Sequence, residues 1–251
     1  MAQHIYNLKK QIPDARDYQV KDLLAAVAPV TIPASFLLTN DPAIYNQGNL
    51  GSCTANAGAA ARIMLTNLTK DMARMFLYWE ERNIEGTVST DAGAQMRDIG
   101  NALATYGICE ANYDPYNISQ FTNPPTAKAV ANALKYKIKS YHSVSDVAEI
   151  KQTIATLKQP VLVGIDVYDS FESDAVALNG IVPMPNVQTE QMLGGHAVLA
   201  IGYDDSKQWV MMRNSWGKNW GATINGKRGY FYLPYAYFTS GYAYDFWVLQ
   251  N

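Results

Sequence analysis

The order in which helical and extended patterns follow one another constrains the fold of this 251-residue chain more than any other feature. Helices are predicted from near Cys53, over 71–82, over 93–107 with Gly107 ending it, and over 146–159. The second half then carries β-rich runs bounded by Gly, Asp and Pro, namely PVLVGIDVY, HAVLAIGYDD, QWVMMRN and GYFYLP. Helices first and strands later are typical of an α+β protein, which we expect to form two lobes.

Composition excludes several classes of function. Hydrophobic residues make up 48% of the chain and charged residues 17%, against about 25% charged residues in an average protein. The net charge of −2 offers no general attraction to nucleic acid. No apolar run reaches the ~18 residues of a membrane helix, and the first residues lack the apolar core of a signal peptide. We therefore expect a soluble chain that binds neither nucleic acid nor membranes.

The chain contains two cysteines, Cys53 and Cys109, so at most one disulfide can form and no disulfide framework holds the fold together. This favours the cytoplasm or another reducing compartment, although the sequence does not fix the location. With only three histidines to add, a four-ligand zinc site would need carboxylates at spacings that the sequence lacks. We expect no metal and no cofactor.

Cys53 stands where a loop becomes a helix, in NQGNLGSCTANAGAAARIML, and Ser52 is placed to cap that helix. The alanines that follow predict a buried helix with a close-packing face. Free N–H groups and the helix dipole at a helix N-terminus favour an anion, which lowers a thiol pKa from about 8.5 toward 3.5–7.5. Cys53 is therefore either an activated nucleophile or one more small buried residue of the helix.

A partner for such a thiol is His196, which follows Gly194 and Gly195 at the mouth of a β-rich run. Asn214, in NSWGKNWG, offers a side-chain carbonyl that would orient the imidazole, and Trp216 would shield that hydrogen bond from water. The alternative is a hydrogen-bonded core histidine. An orienting group beside the base favours the catalytic interpretation.

These motifs resemble the papain-like cysteine peptidases, particularly members from bacteria and viruses. The resemblance extends from about Ile32 to the C-terminus and is carried by Gln47-Gly48, Gly51-Ser52-Cys53, His196-Ala197 and Asn214-Ser215-Trp216-Gly217. It implies a helical lobe that presents the thiol at the head of a long helix and a β-barrel-like lobe that presents the histidine and asparagine. Substrate would lie in the cleft between the lobes.

The resemblance also implies residue roles. Cys53 would attack a peptide carbonyl as the thiolate of an ion pair with His196, Asn214 would orient the imidazole, and Gln47 would help to bind the oxyanion. Gly93 and Gly195 would line the substrate cleft. The implied activity is a cysteine endopeptidase acting as a monomer on peptide or protein substrates. The alternatives are an acyl-transferase, or a non-catalytic peptide-binding protein on the same scaffold.

Some positions depart from the family pattern. Leu50 stands where most relatives have a cysteine, and Thr54 stands where most have an aromatic residue. The second cysteine, which in those relatives pairs with the one at the position of Leu50, is absent from this chain as well. We therefore expect no family disulfide, with the loop above the nucleophile held by packing. Asp245 would lie near the floor of the main side-chain pocket or would be an ordinary surface charge.

The chain before the enzyme-like part is short. We expect residues 1–31 to be an N-terminal extension or pro-segment and residues 32–251 to be the peptidase domain, with the helical lobe at about 46–140 and the β lobe at about 141–251. The extension could cross the cleft as a plug, with its part near Pro13 over the thiol, brace the two lobes, or form a disordered tail. Its alternating charged and apolar residues favour a retained, packed segment.

Overall fold

The computed structural model describes residues 4–28 and 30–251. The helices of this part of the chain are α1 (Val20–Ala25), α2 (Cys53–Thr66), α3 (Arg74–Glu85), α4 (Met96–Thr105), α5 (Ala127–Ala133), α6 (Val147–Gln152), α7 (Asp174–Asn179) and α8 (Tyr235–Thr239). The strands are β1 (Ser35–Leu37), β2 (Ser140–Val144), β3 (Val161–Tyr168), β4 (Met192–Asp204), β5 (Trp209–Arg213), β6 (Ala222–Ile224), β7 (Lys227–Pro234) and β8 (Ala243–Gln250). Helices dominate the first half and strands the second, so the predicted α+β class is confirmed.

The strands form one antiparallel sheet in the order β2-β8-β3-β4-β5-β7-β6, with β1 paired to the end of β4. Its outermost strands, β2 and β6, do not pair with each other, so this lobe is an open sheet and the expectation of a barrel-like lobe needs correction. The outer edge of β2 is occupied instead by the chain before α1. There Ser143 N–H donates to the Tyr18 carbonyl at 2.7 Å, which covers the edge without closing the sheet.

Helix α2 runs through the middle of the molecule. Every residue from Cys53 to Met64 is buried, because α3 and α4 pack on one side of the helix and the sheet on the other. Gly58 permits the close approach of α4, since a Cβ at this position would lie 2.5 Å from a methyl group of Ile99. The predicted buried helix is therefore present, and its first residue faces the boundary between the two lobes.

Two helices begin later than predicted. Helix α3 was expected over 71–82, but Ala73 N–H donates to the Cys109 carbonyl at 2.8 Å, so the preceding residues pair with a loop. Helix α4 was expected from Gly93, which instead has φ +66° in the left-handed region. The later start of α3 comes from a contact with a part of the chain that is distant in sequence. The later start of α4 comes from backbone geometry. The periodicity of the sequence reports neither.

Residues 4–11, called here the N-terminal segment, lie extended across the boundary between sheet and helices. Leu8 N–H donates to the Gly195 carbonyl of β4 at 3.1 Å, and Lys9 N–H donates to the Ala94 carbonyl beside α4 at 3.2 Å. Further on, Val20 of α1 is fully buried. The contacts of Leu8 and Lys9 and the burial of Val20 therefore favour a packed segment over a disordered tail.

Both cysteines are buried and unpaired. Within residues 4–28 and 30–251, no three His, Cys, Asp or Glu side chains gather as metal ligands. Across the same ranges, none of the helices has the length and apolar character needed to cross a membrane.

Candidate active site

Cys53 is the first residue of α2 and is fully buried. Ser52 occupies the N-cap position, but its side chain makes no capping bond, so that prediction is wrong. Its hydroxyl instead lies 2.6 Å from the Tyr116 hydroxyl and accepts a hydrogen bond from Asn56 Nδ2 at 3.1 Å. The loop before the helix is thus tied to the helical lobe by side chains, while the free N–H groups of the first turn remain near the thiol.

His196 and Asn214 meet as the sequence predicted. His196 lies in β4 and Asn214 directly follows β5, the next strand of the sheet. The imidazole Nε2 lies 2.8 Å from Asn214 Oδ1, and both residues are buried. The Trp216 ring lies over the pair, with its centroid 5.1 Å from that of His196. This arrangement assigns the Nε2 proton to the bond with Asn214 and keeps water away from it.

The other imidazole nitrogen is available for the thiol. His196 Nδ1 is buried and has no hydrogen-bond partner among the described residues. A hydrogen bond from the backbone of Ala197, the next residue along β4, favours the thiolate form of Cys53. The structure therefore brings Cys53 to the strand that carries the histidine, whose Nδ1 is buried and unpaired among the described residues.

Gln47 is fully buried on the loop before α2. Its side-chain Oε1 accepts a hydrogen bond from the Ser215 hydroxyl at 2.7 Å, and its Nε2 donates to the Leu50 carbonyl at 3.1 Å. Its backbone N–H donates to the Ser215 carbonyl at 2.8 Å. Sequence reasoning missed Ser215, although its place directly after Asn214 was a usable signal. Ser215, which follows β5 and Asn214, therefore fixes the orientation of the Gln47 side-chain amide, which lies on the loop before α2.

The two positions that depart from the family pattern point into the protein. Leu50 is 1% exposed, so the loop above Cys53 is packed without a disulfide, as expected. Thr54 is buried and donates to Glu81 Oε2 at 2.5 Å. Burial raises the pKa of Glu81 well above its usual range. Thr54 therefore faces the interior of the helical lobe, and Glu81 is a neighbour of the site that the motif did not reveal.

The N-terminal segment occupies both positions predicted to line the substrate cleft. A Cβ at Gly93 would overlap the carbonyl of Asn7. A Cβ at Gly195 would lie 2.6 Å from the carbonyl of Leu8 and 2.7 Å from the hydroxyl of Tyr244. Both glycines therefore allow an extended chain to approach closely, and here that chain is the protein's own.

The same segment covers the histidine. The Tyr6 ring stands edge-on to His196 with ring centroids 6.0 Å apart, and the His4 ring stacks on Trp216 at 3.8 Å. The Tyr6 hydroxyl and His4 Nδ1 both bond to Glu172, the latter at 2.9 Å. The residues over the site are therefore 4–8, and the expectation that the part near Pro13 would cover the thiol is wrong.

Burial reverses the ionisation expected for Cys53 and His196. Burial raises the pKa of the Cys53 thiol to about 12, although hydrogen bonds from Ala197 and the first helical turn act in the opposite direction. Burial also lowers the pKa of His196 to about 4, against the effect of the Asn214 hydrogen bond. The expectation of a lowered thiol pKa is therefore wrong for this closed arrangement, because desolvation outweighs the helix N-terminus.

Alkylation of Cys53 in the intact chain is expected to rise with pH up to about pH 10 without a plateau. The thiolate fraction falls about tenfold for each pH unit below a pKa of about 12, so little thiolate exists near neutrality. The measurement is the iodoacetamide rate at Cys53, followed by mass spectrometry, in the intact chain and in a chain that begins at residue 12. The shorter chain should reach a plateau near neutral pH.

Cys109 serves as the internal control for that experiment. Burial raises its pKa to about 12 as well, and it packs in a separate cluster with Phe76 and Ala129, away from the segment. Its pH profile should be the same in both chains. If the alkylation rate of Cys53 in the intact chain reached a plateau below about pH 8, that result would contradict a neutral Cys53–His196 pair in the covered site.

Comparison with known proteins identifies the relatives of this chain. Residues 38–237 match the family model of papain family cysteine proteases. An uncharacterized peptidase C1-like protein of Acanthamoeba polyphaga mimivirus is 33% identical, covering 96% of this chain and 85% of the relative. Cysteine proteinase 1 of Entamoeba histolytica is 28% identical, over 80% of this chain and 62% of its own length.

A solved structure gives the same result. The crystal structure of xylellain, a cysteine protease from Xylella fastidiosa, matches with a TM-score of 0.86 and 33% sequence identity, over 98% of this chain and 96% of that one. The family model spans most of the chain, and both the viral relative and xylellain exceed 30% identity over nearly all of it. This chain therefore belongs to the papain family of cysteine proteases and is a hydrolase.

Proposed function

We propose that this protein is a cysteine endopeptidase in which Cys53, His196, Asn214 and Gln47 carry the reaction. The observation that supports it most is the 2.8 Å bond between His196 Nε2 and Asn214 Oδ1, which leaves Nδ1 buried and unpaired on the strand that meets Cys53. All four residues belong to one chain, so a monomer suffices. Substrates are peptides or proteins.

The reaction follows from these positions. The thiol proton passes to His196 Nδ1, and the thiolate attacks the peptide carbonyl. The Cys53 backbone N–H and the Gln47 side-chain amide bind the oxyanion that develops. His196 then protonates the leaving amine, and water releases the acyl group from Cys53. Asn214 holds the imidazole in one tautomer and orientation throughout.

Internal cleavage is favoured by the path of the N-terminal segment. His4 lies against Trp216 at one end of the cleft, and Gln11 N–H donates to Asp245 Oδ2 at 2.9 Å at the other. An extended chain thus passes Trp216, His196 and Gly195 and continues as far as Asp245. A substrate chain in the same cleft can extend beyond the scissile bond in both directions, as an endopeptidase requires.

We also propose that residues 1–31 keep the enzyme latent and that residues 32–251 form the peptidase domain, with the lobes divided near residue 140. The segment fills the positions at Gly93 and Gly195 and excludes water from the thiol. When it leaves, water returns to the cleft, so the pKa of Cys53 falls and that of His196 rises. The reactive ion pair then forms.

Replacing Gln47 with alanine should lower kcat by about 10²–10³-fold, because one oxyanion donor is lost. Ser215→Ala should have a smaller effect, within about tenfold, since the amide remains but loses one of the bonds that orient it. The measurement is kcat and KM on a fluorogenic peptide, with thermal midpoints to verify folding. Equal kcat for Gln47→Ala and wild type would remove Gln47 from the mechanism.

A further inference from the structure

The N-terminal segment directs two adjacent lysines to opposite walls of the cleft. Lys9 Nζ pairs with Glu85 of α3, on the helical side. Lys10 Nζ lies 2.8 Å from Asp166 Oδ2 of β3, on the sheet side. The side chains of an extended chain alternate in direction, so neighbouring lysines reach different walls. Each wall therefore offers a carboxylate to whatever chain lies in the cleft.

Asp166 is unusual for its place in the fold. It is the only charged residue of β3, and the strand is buried from Val161 to Val167. The residue itself is 5% exposed. Its Oδ2 faces Lys10, while its Oδ1 is buried and has no hydrogen-bond partner among the described residues. A buried carboxylate is costly without a cation, so this position depends on a positive charge supplied from the cleft.

The surroundings of Asp166 suit a positive charge. The centroid of the Tyr244 ring lies 4.3 Å from Lys10 Nζ, close enough for a cation–π contact. Asp245, which accepts the Gln11 N–H, adds a second carboxylate nearby. The Lys10 side chain remains 53% exposed, so the pocket opens outward and its occupant can be exchanged. Asp245 is therefore a half-buried partner of the segment rather than an ordinary surface charge.

The pocket adjoins the candidate catalytic histidine. Asp166 pairs in register with Gly195, and Ile165 pairs with His196. Gly195 also accepts the N–H of Leu8, two residues before Lys10. A chain bound along Gly195 thus passes both the histidine and the Asp166 pocket. A side chain in this pocket belongs to the stretch of substrate that surrounds the scissile bond.

We propose that Asp166 and Tyr244 form a specificity site for a basic side chain of the substrate. The inference rests on the protease function proposed above. Lys10 occupies this site while the cleft is covered, and a substrate lysine takes its place when the N-terminal segment leaves. Substrates without a cation there leave the Asp166 carboxylate buried and unpaired, so the enzyme discriminates against them.

The test is a ratio of rates in the full chain. Pairs of peptides that differ only by lysine or norleucine at one position are compared by kcat/KM, and that position is moved along the sequence around the scissile bond. Both members of a pair depend on the same open enzyme, so their ratio is independent of how often the segment uncovers the cleft. Wild type should prefer lysine by about tenfold or more at one position.

Three variants identify the source of that preference. Asp166→Asn should bring the ratio close to one. Lys10→Met is the matched control, because it loosens the segment but keeps the pocket, so both rates change by a common factor and the ratio is retained. Glu85→Gln alters the opposite wall and should also retain the ratio at this position.

The possible failures are distinguishable. If wild type cleaves the peptides but the lysine-to-norleucine ratio of kcat/KM is near one at every position, the specificity site is overturned. The proposed protease function is unaffected by that result. If Lys10→Met and Asp166→Asn lower the lysine-to-norleucine ratio equally, Asp166 only anchors the N-terminal segment. That result would also overturn the inference. No cleavage of any peptide, together with no labelling of Cys53 by a thiol-directed peptidase probe, would overturn the proposed function itself.

Discussion

Replacing Cys53 with alanine is expected to lower kcat/KM for peptide hydrolysis by about 10⁴-fold or more, because the variant lacks the thiol that forms the acyl intermediate. Alanine fits the fully buried first position of α2 without new volume, so the fold should persist. The measurements are hydrolysis of a fluorogenic peptide, labelling by a thiol-directed peptidase probe, and the thermal midpoint.

Cys109→Ala is the matched control for that substitution, since it removes the other buried thiol. Its backbone carbonyl accepts the Ala73 N–H, and that bond survives the change of side chain. Hydrolysis and probe labelling should remain within about twofold of wild type. Turnover by the Cys53→Ala variant at the wild-type rate would end the proposal of a cysteine nucleophile.

Removing residues 1–11 is expected to raise probe labelling of Cys53 and peptide hydrolysis by about 100-fold. The truncation deletes the contacts at Gly93 and Gly195 and uncovers His196, so the thiol regains water and its pKa falls. A synthetic peptide of residues 1–11 added back should inhibit the truncated chain. Unchanged rates after truncation would contradict latency.

A second truncation, removing residues 1–28, separates the plug from the brace. It also deletes α1, with buried Val20 and Leu24, and the 2.6 Å ion pair between Asp17 and Arg97. Burial of two such side chains contributes about 1.5–3 kcal/mol each, which corresponds to a thermal midpoint lower by roughly 10 °C. The shorter truncation should lower the midpoint far less. Equal midpoints for both truncated chains would assign no bracing role to residues 12–28.

The family, the fold class and the meeting of His196 with Asn214 could be predicted from the sequence, because short motifs record them directly. Gly107 also ends a helix as predicted, with φ +79° one residue past the C-cap. The open sheet could not be foreseen. Closure of a sheet depends on whether its edge strands pair, and the outer edge of β2 is taken by Tyr18, far away in sequence.

The ionisation of Cys53 was mispredicted for a related reason. A helix N-terminus is a local feature that the sequence shows, whereas the burial of the thiol comes from tertiary packing. Residues 4–8 belong to the same packing, since Tyr6 stands edge-on to His196. The bond between Ser215 and Gln47 likewise joins residues on opposite sides of the cleft. Contacts of this kind decide electrostatics and orientation in the site, and no periodicity or motif reports them.

The order of residues along the chain has a consequence for how the enzyme is made. Asn7 is synthesised 207 residues before Asn214, an interval of roughly 10–40 s at a ribosomal rate of about 5–20 residues per second. His196 and Asn214 therefore emerge when the residues proposed to cover them are already outside the ribosome. We expect the cleft to assemble with its proposed cover already available, so that the protease is latent from the time its site forms.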